Sequence, residues 1–176
     1  MTMKLKILLC AAVAVVSTVL PAQAKVDRGT NGLLDTLNNH GFVISVDSDD
    51  CPTDGSILGS YRSQGLMYRE MLLCPNGTVD AIDHSTVRHE MTHVLQHCVN
   101  IQRGTDRDTP IVNDDEQLAK LVNTYVPSDV VTFIKNTYPQ NRWKVEFEAQ
   151  YAELVYTADE LVEMFYELEC QHLFRK

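Results

Sequence analysis

Leu33, Leu34 and Leu37 recur at helical spacing and Gly41 follows them, so a short helix is predicted over residues 30–40. Phe42 to Val46 is aromatic and β-branched and reads as a strand. Residues 47–56 are acidic and rich in turn formers, hence a loop. Two further strands are predicted near 57–62 and 66–73. Ser63-Gln64-Gly65 joins them as a hairpin, and Pro75-Asn76-Gly77 ends the second. From Asp83 the period becomes helical. Asp83 or Ser85 caps a helix that runs to about Cys98, and residues 100–113, with Gly104 and Pro110, form a loop. Helices follow from Asp114 to Tyr125 and from Asp129 to Tyr138, the second capped by Ser128. A long helical stretch starts near Trp143, and the capping box Thr157-Ala158-Asp159-Glu160 opens another. One helix, three short strands and then only helices is an α+β order with the sheet in the first half.

Residues 1–24 stand apart from this pattern. Lys4 and Lys6 precede an apolar run from Ile7 to Leu20, Pro21 breaks it, and Ala22-Gln23-Ala24 offers a small-x-small cleavage site. The run falls short of the ~20 residues that a membrane span needs. A cleaved signal peptide is therefore expected. It leaves one domain over residues 25–176, secreted or periplasmic, with no stable membrane insertion. The formal charge of the whole chain is −9, and loss of Lys4 and Lys6 with the leader makes it −11. Such a surface argues against nucleic acid and anionic membranes as partners, because both demand basic patches.

Export changes how the cysteines are read. Cys10 departs with the leader, and Cys51, Cys74, Cys98 and Cys170 remain. An even number in an exported chain implies two disulfides. No pair has the C-x₂₋₄-C spacing of a zinc site. Cys51 and Cys74 flank the hairpin, while Cys98 and Cys170 are the two helical cysteines. The pairing Cys51–Cys74 and Cys98–Cys170 therefore needs least rearrangement.

His89-Glu90-Met91-Thr92-His93 carries the chemistry. Four residues advance a helix by roughly 400°, so both imidazoles point the same way, one turn apart. Two neutral imidazoles so placed can meet one Zn²⁺. Glu90 projects beside the metal, where it can take a proton from metal-activated water. A catalytic zinc site expects a third protein ligand. His97 lies about 12 Å beyond His89 along the helix axis and is structural instead. Val99 stands where a metzincin has its third histidine. The segment Glu146-Phe147-Glu148-Ala149-Gln150-Tyr151-Ala152-Glu153 supplies the better candidates. Glu148, with Ala149 and Ala152 beside it and on a stripe with Tyr151 and Val155, is favoured as the ligand. Glu146, on a face with Ala149 and Gln150, is the alternative.

These residues resemble the gluzincin class of zinc metallopeptidases, especially its small single-domain members. His89-Glu90-Met91-Thr92-His93-Val94-Leu95-Gln96 matches the active-site helix, and Glu148-Ala149-Gln150-Tyr151-Ala152 matches an E-x-x-x-A glutamate helix. Ala152 stands where the thermolysin-like pattern has Asp. The resemblance covers residues 59–156. It implies a minimal zincin-like fold, with a small antiparallel sheet whose edge strand binds extended substrate, and a helical half. It also implies one zinc per chain on His89, His93 and Glu148, with Glu90 as general base. An oxyanion-stabilising Tyr or His is usual in such sites, and Tyr125, Tyr151 and Tyr156 are candidates. The function expected is an exported zinc-dependent peptidase acting on peptide or protein, with strand 66–73 adding substrate at a sheet edge. The alternatives are a non-catalytic binding or inhibitor protein on the same fold, and a zinc amidase acting on cell-wall peptides.

Overall fold

Asp83 starts the helix on which the molecule is built: its carboxylate accepts the Ser85 N–H at 2.9 Å. That helix, α2, runs His84–Gln102. The computed structural model describes residues 29–46, 49–51, 58–64, 68–74, 83–105 and 107–174. The leader, Cys10 and the Pro75-Asn76-Gly77 stop lie outside them. The other elements are α1 (Gly29–Asn39), β1 (Val43–Val46), β2 (Gly59–Gln64), β3 (Tyr68–Leu73), α3 (Asp115–Tyr125), α4 (Ser128–Thr137), α5 (Trp143–Val155), α6 (Ala158–Glu167) and α7 (Cys170–Leu173), with a 3₁₀ turn over Gln140–Arg142. The α+β order is as expected, and helix α2 is one turn longer than its pattern predicts.

Two boundary expectations are corrected. Ser63 and Gln64 continue β2 instead of turning. Ser128 is the first helical residue of α4 behind Pro127 and makes no side-chain cap. The capping box at α6 is present, with Glu160 Oε2 accepting the Thr157 N–H at 2.7 Å and Thr157 Oγ1 accepting the Glu160 N–H at 3.2 Å.

The sheet is mixed, not antiparallel, with strand order β1-β3-β2. Strand β2 pairs antiparallel to β3, as a hairpin should, with Gly59 opposite Leu73 and Gln64 opposite Tyr68. Strand β1 adds parallel to the other side of β3, with Val43 opposite Glu70. Strand 66–73, expected at an edge, is therefore central. Its run of Met71, Leu72 and Leu73 is buried throughout, which suits a strand covered on both faces. Among the described residues the edges are β1 and β2.

Leu33, Leu37, Phe42, Met71, Val87, Met91, Leu95, Leu161, Phe165 and Phe174 form the main core between the sheet and helices α1, α2, α6 and α7. A second cluster joins Leu118, Val122 and Val126 to Tyr151 of α5. Helix α2 packs against α5 and β2 as well as α6 and α7, so its motif residues are held from several sides. The disulfides pair Cys51 with Cys74 and Cys98 with Cys170, at Cα separations of 5.5 and 5.6 Å. Among the described residues no helix is long and apolar enough to cross a membrane.

Candidate metal centre

His89 and His93 lie one turn apart on α2, with ring centroids 5.0 Å apart. Helix α5 crosses in front of them and brings Glu146 between the rings. Glu146 Oε2 lies 3.5 Å from His89 Nε2 and 3.5 Å from His93 Nε2. Donors 2.0–2.1 Å from a small tetrahedral ion stand about 3.3–3.4 Å apart, close to each histidine's distance from the Glu146 oxygen, and the three atoms all lie within 4.8 Å of one another. The trio satisfies the donor requirement of a metal site.

The far nitrogens are held as well. Glu153 Oε2 lies 3.2 Å from His89 Nδ1, and Gln150 Nε2 donates to the same oxygen at 2.9 Å. Gln96 Oε1 lies 2.8 Å from His93 Nδ1. With Nδ1–H donated in each case, Nε2 is the nitrogen that faces Glu146, and loss of any proton it carries leaves the tautomer a ligating imidazole needs. Burial by itself would push His89 down, but the carboxylates of Glu146 and Glu153 prevail and raise its pKa to about 10. Burial would push Glu146 up, and the two imidazoles with Arg142 instead hold its carboxyl far below the usual range.

Glu90 is 5% exposed. The Tyr61 backbone N–H donates to its carboxylate, while its Oε2 has no hydrogen-bond partner among the described residues. Burial raises the pKa of Glu90, with His93 and His89 opposing the shift. A buried carboxylate oxygen with no partner costs free energy, and it is the kind of group that a metal site's water would satisfy.

Glu148, the residue favoured as third ligand, faces elsewhere. Two residues turn a helix by about 200°, so Glu148 points to the opposite side of α5. There it accepts the Ile111 N–H at 2.7 Å, the Val112 N–H at 2.8 Å and Gln96 Nε2 at 2.9 Å. His97 packs against Phe174 and Tyr61 and is outside the trio. Tyr125, Tyr151 and Tyr156 meet one another around the second core cluster, and none lines either cavity beside the histidines.

The aromatic residues that do line the centre are Tyr138, Phe133 and Tyr61. With Arg142, they border a cleft of about 480 Å³ containing His89, Glu90, His93 and Glu146. Arg142 bridges two carboxylates, donating to Glu146 Oε1 at 3.0 Å and to Asp108. A second lobe of about 590 Å³ begins at His93 and Arg142 and extends past Ser63, Asn100 and Arg107. Leu58, Gly59, Ser60 and Tyr61, at the start of edge strand β2, wall the cleft. At Gly59 a Cβ would clash with Thr86 Cγ2 and meet Glu90 Cγ and Oε1 at 3.0 Å, so the strand backbone rests directly on the motif helix.

Glu153, Gln150 and Gln96 were not singled out as functional by the sequence. Their signal is a polar stripe: Glu146, Gln150 and Glu153 fall at i, i+4 and i+7, on one helix face. Gln96 lies three residues past His93 on the motif face. Arg142 and Tyr138 precede α5 without a comparable pattern.

In comparisons with known proteins, no family model, curated protein or solved structure matched the chain.

Proposed function

We propose that the chain is an exported zinc-dependent peptidase, with His89, His93 and Glu146 as metal ligands and Glu90 as general base. The observation that carries this reading is the meeting of His89 Nε2, His93 Nε2 and Glu146 Oε2 beside a buried Glu90 with an unpartnered oxygen. Zinc, when bound, would supply a Lewis acid that polarises the scissile carbonyl and acidifies water. Glu90 would accept the water's proton and pass it to the leaving amine. Tyr138 and Arg142 both line the cleft; the Tyr138 O–H, and the positive charge of Arg142 while it holds Glu146 and Asp108, would favour negative charge developing on the carbonyl oxygen. Extended peptide would add to edge strand β2, whose residues Gly59, Ser60 and Tyr61 line the cleft. An unpartnered buried carboxylate has no evident use in a purely binding protein, which favours the catalytic reading over the inhibitor alternative.

The test is metal content and turnover of a mixed peptide library by protein spanning residues 25–176. One zinc per chain and cleavage are expected. Glu90→Gln should keep the zinc and lose about 10²–10⁴-fold in turnover, since only the proton acceptor is removed. Undiminished cleavage by that variant would sink the mechanism.

A further inference from the structure

We infer that Glu148 is a positioning residue: it holds the Gln96 amide in the one orientation that presents His93 Nε2 to the metal, and it ties the α2–α3 connection to the same point. This deepens the metal reading above and requires His93 to be a ligand.

Glu148 is 4% exposed, and its carboxylate accepts from three donors. Oε2 accepts Gln96 Nε2 at 2.9 Å and the Ile111 N–H at 2.7 Å, while Oε1 accepts the Val112 N–H at 2.8 Å. A carboxylate can only accept. It therefore fixes which end of the Gln96 amide faces it, and the Val145 carbonyl, accepting from the same Nε2 at 3.0 Å, fixes it in the same sense. The amide oxygen is left to face His93 Nδ1 at 2.8 Å. An oxygen there demands Nδ1–H, which leaves the lone pair on Nε2. Were the amide reversed, its NH₂ would face Nδ1 and favour the wrong tautomer. Each bond in this chain has one permitted direction, beginning at the charge of Glu148.

The same carboxylate anchors Ile111 and Val112 by their backbone. They close the connection whose Thr105, Arg107 and Asp108 wall the second lobe. One buried side chain thus fixes both a wall of the cleft and the ring of His93.

The experiment uses the protein spanning residues 25–176, with Zn²⁺ affinity read by competition with a chromophoric chelator. The His93 Nδ1–H resonance is followed in the zinc-loaded state. Glu148→Gln offers one acceptor oxygen where three donors converge. It should weaken zinc about 10-fold or more and broaden or remove the protected Nδ1–H signal. Gln96→Met should do the same, and the double variant should be no worse than the poorer single one, because both act through one hydrogen-bond chain. If Glu148→Gln does not fold, Glu148→Asp replaces it, with its shortened reach predicting the same loss. Additive effects, or wild-type zinc affinity with an intact Nδ1–H signal in the Glu148 variant, would overturn the inference while leaving the metal site standing. Wild-type protein that takes up no zinc would overturn the metal reading and this inference with it.

Discussion

Glu146 and Glu148 are 2% and 4% exposed, so burial does not distinguish the group facing the histidines from the one anchoring a loop. Direction along α5 does. Substituting each with Ala gives opposite expectations from those of the sequence stripe. Glu146→Ala removes a ligand and should reduce zinc affinity by far more than Glu148→Ala, which removes a support. Chelator competition on the two variants decides the ranking, and equal or inverted losses would return Glu148 to the coordination sphere. The proton on His89 gives a second expectation. Its pKa near 10 lies above the ordinary value near 6.5. In metal-free protein its contribution to stability is thus complete below about 6.5 and lost as the pH climbs through about 10. Zinc bound to His89 as proposed would have to displace that proton at neutral pH. Affinity should therefore rise with pH towards 10, with at least one proton released per zinc. Calorimetry at pH 7 in buffers of different ionisation enthalpy measures the release; a heat independent of buffer would contradict it.

Among the elements, legibility followed locality. The capping box of α6, the Asp83 cap of α2 and the H-E-x-x-H face depend on neighbours within a turn, and the structure has them as read. The place of β3 in the sheet depends on β1, more than 20 residues earlier, pairing parallel to it. That contact leaves no local mark except the consecutive apolar Met71-Leu72-Leu73. Helix α5 shows the same limit. It is covered by α2 on one side and by α3 with the Ile111–Val112 segment on the other, so no single apolar stripe tells which glutamate faces inward. Gly59 gives this scale its own test. Gly59→Ala places a methyl group against Thr86 and Glu90, and β2 or the glutamate must shift. Zinc affinity should change little, while turnover should fall by about 10-fold or more, as expected when a general base is displaced. Unaltered turnover would mean that the strand yields instead of Glu90.

At the scale of the whole molecule, two covalent clasps hold the parts around α2. Cys51–Cys74 closes the base of the β2–β3 hairpin, and Cys98–Cys170 fastens the last helix to the end of α2. The second spans 72 residues, and removing it by Cys98→Ala with Cys170→Ala should cost about 2–4 kcal/mol of stability, mostly through the unfolded chain. Urea unfolding of this variant beside the wild type measures the loss; coincident midpoints would show that packing of Phe174 and Phe165 suffices. The order of the clasps has a consequence for how the chain is made. Along the described residues Cys51 is joined to Cys74 and Cys98 to Cys170, so the two covalent rings follow one another and neither overlap nor interleave. If the chain is exported as proposed, N-terminus first and freed of the leader with Cys10, its hairpin cysteines come together before Cys98 and Cys170 have emerged. The first pairing then has no competitor within the domain, and the second finds only its own partner free. On that proposal, oxidative maturation calls for an electron acceptor, and the native pairing is reached without exchange between the two rings.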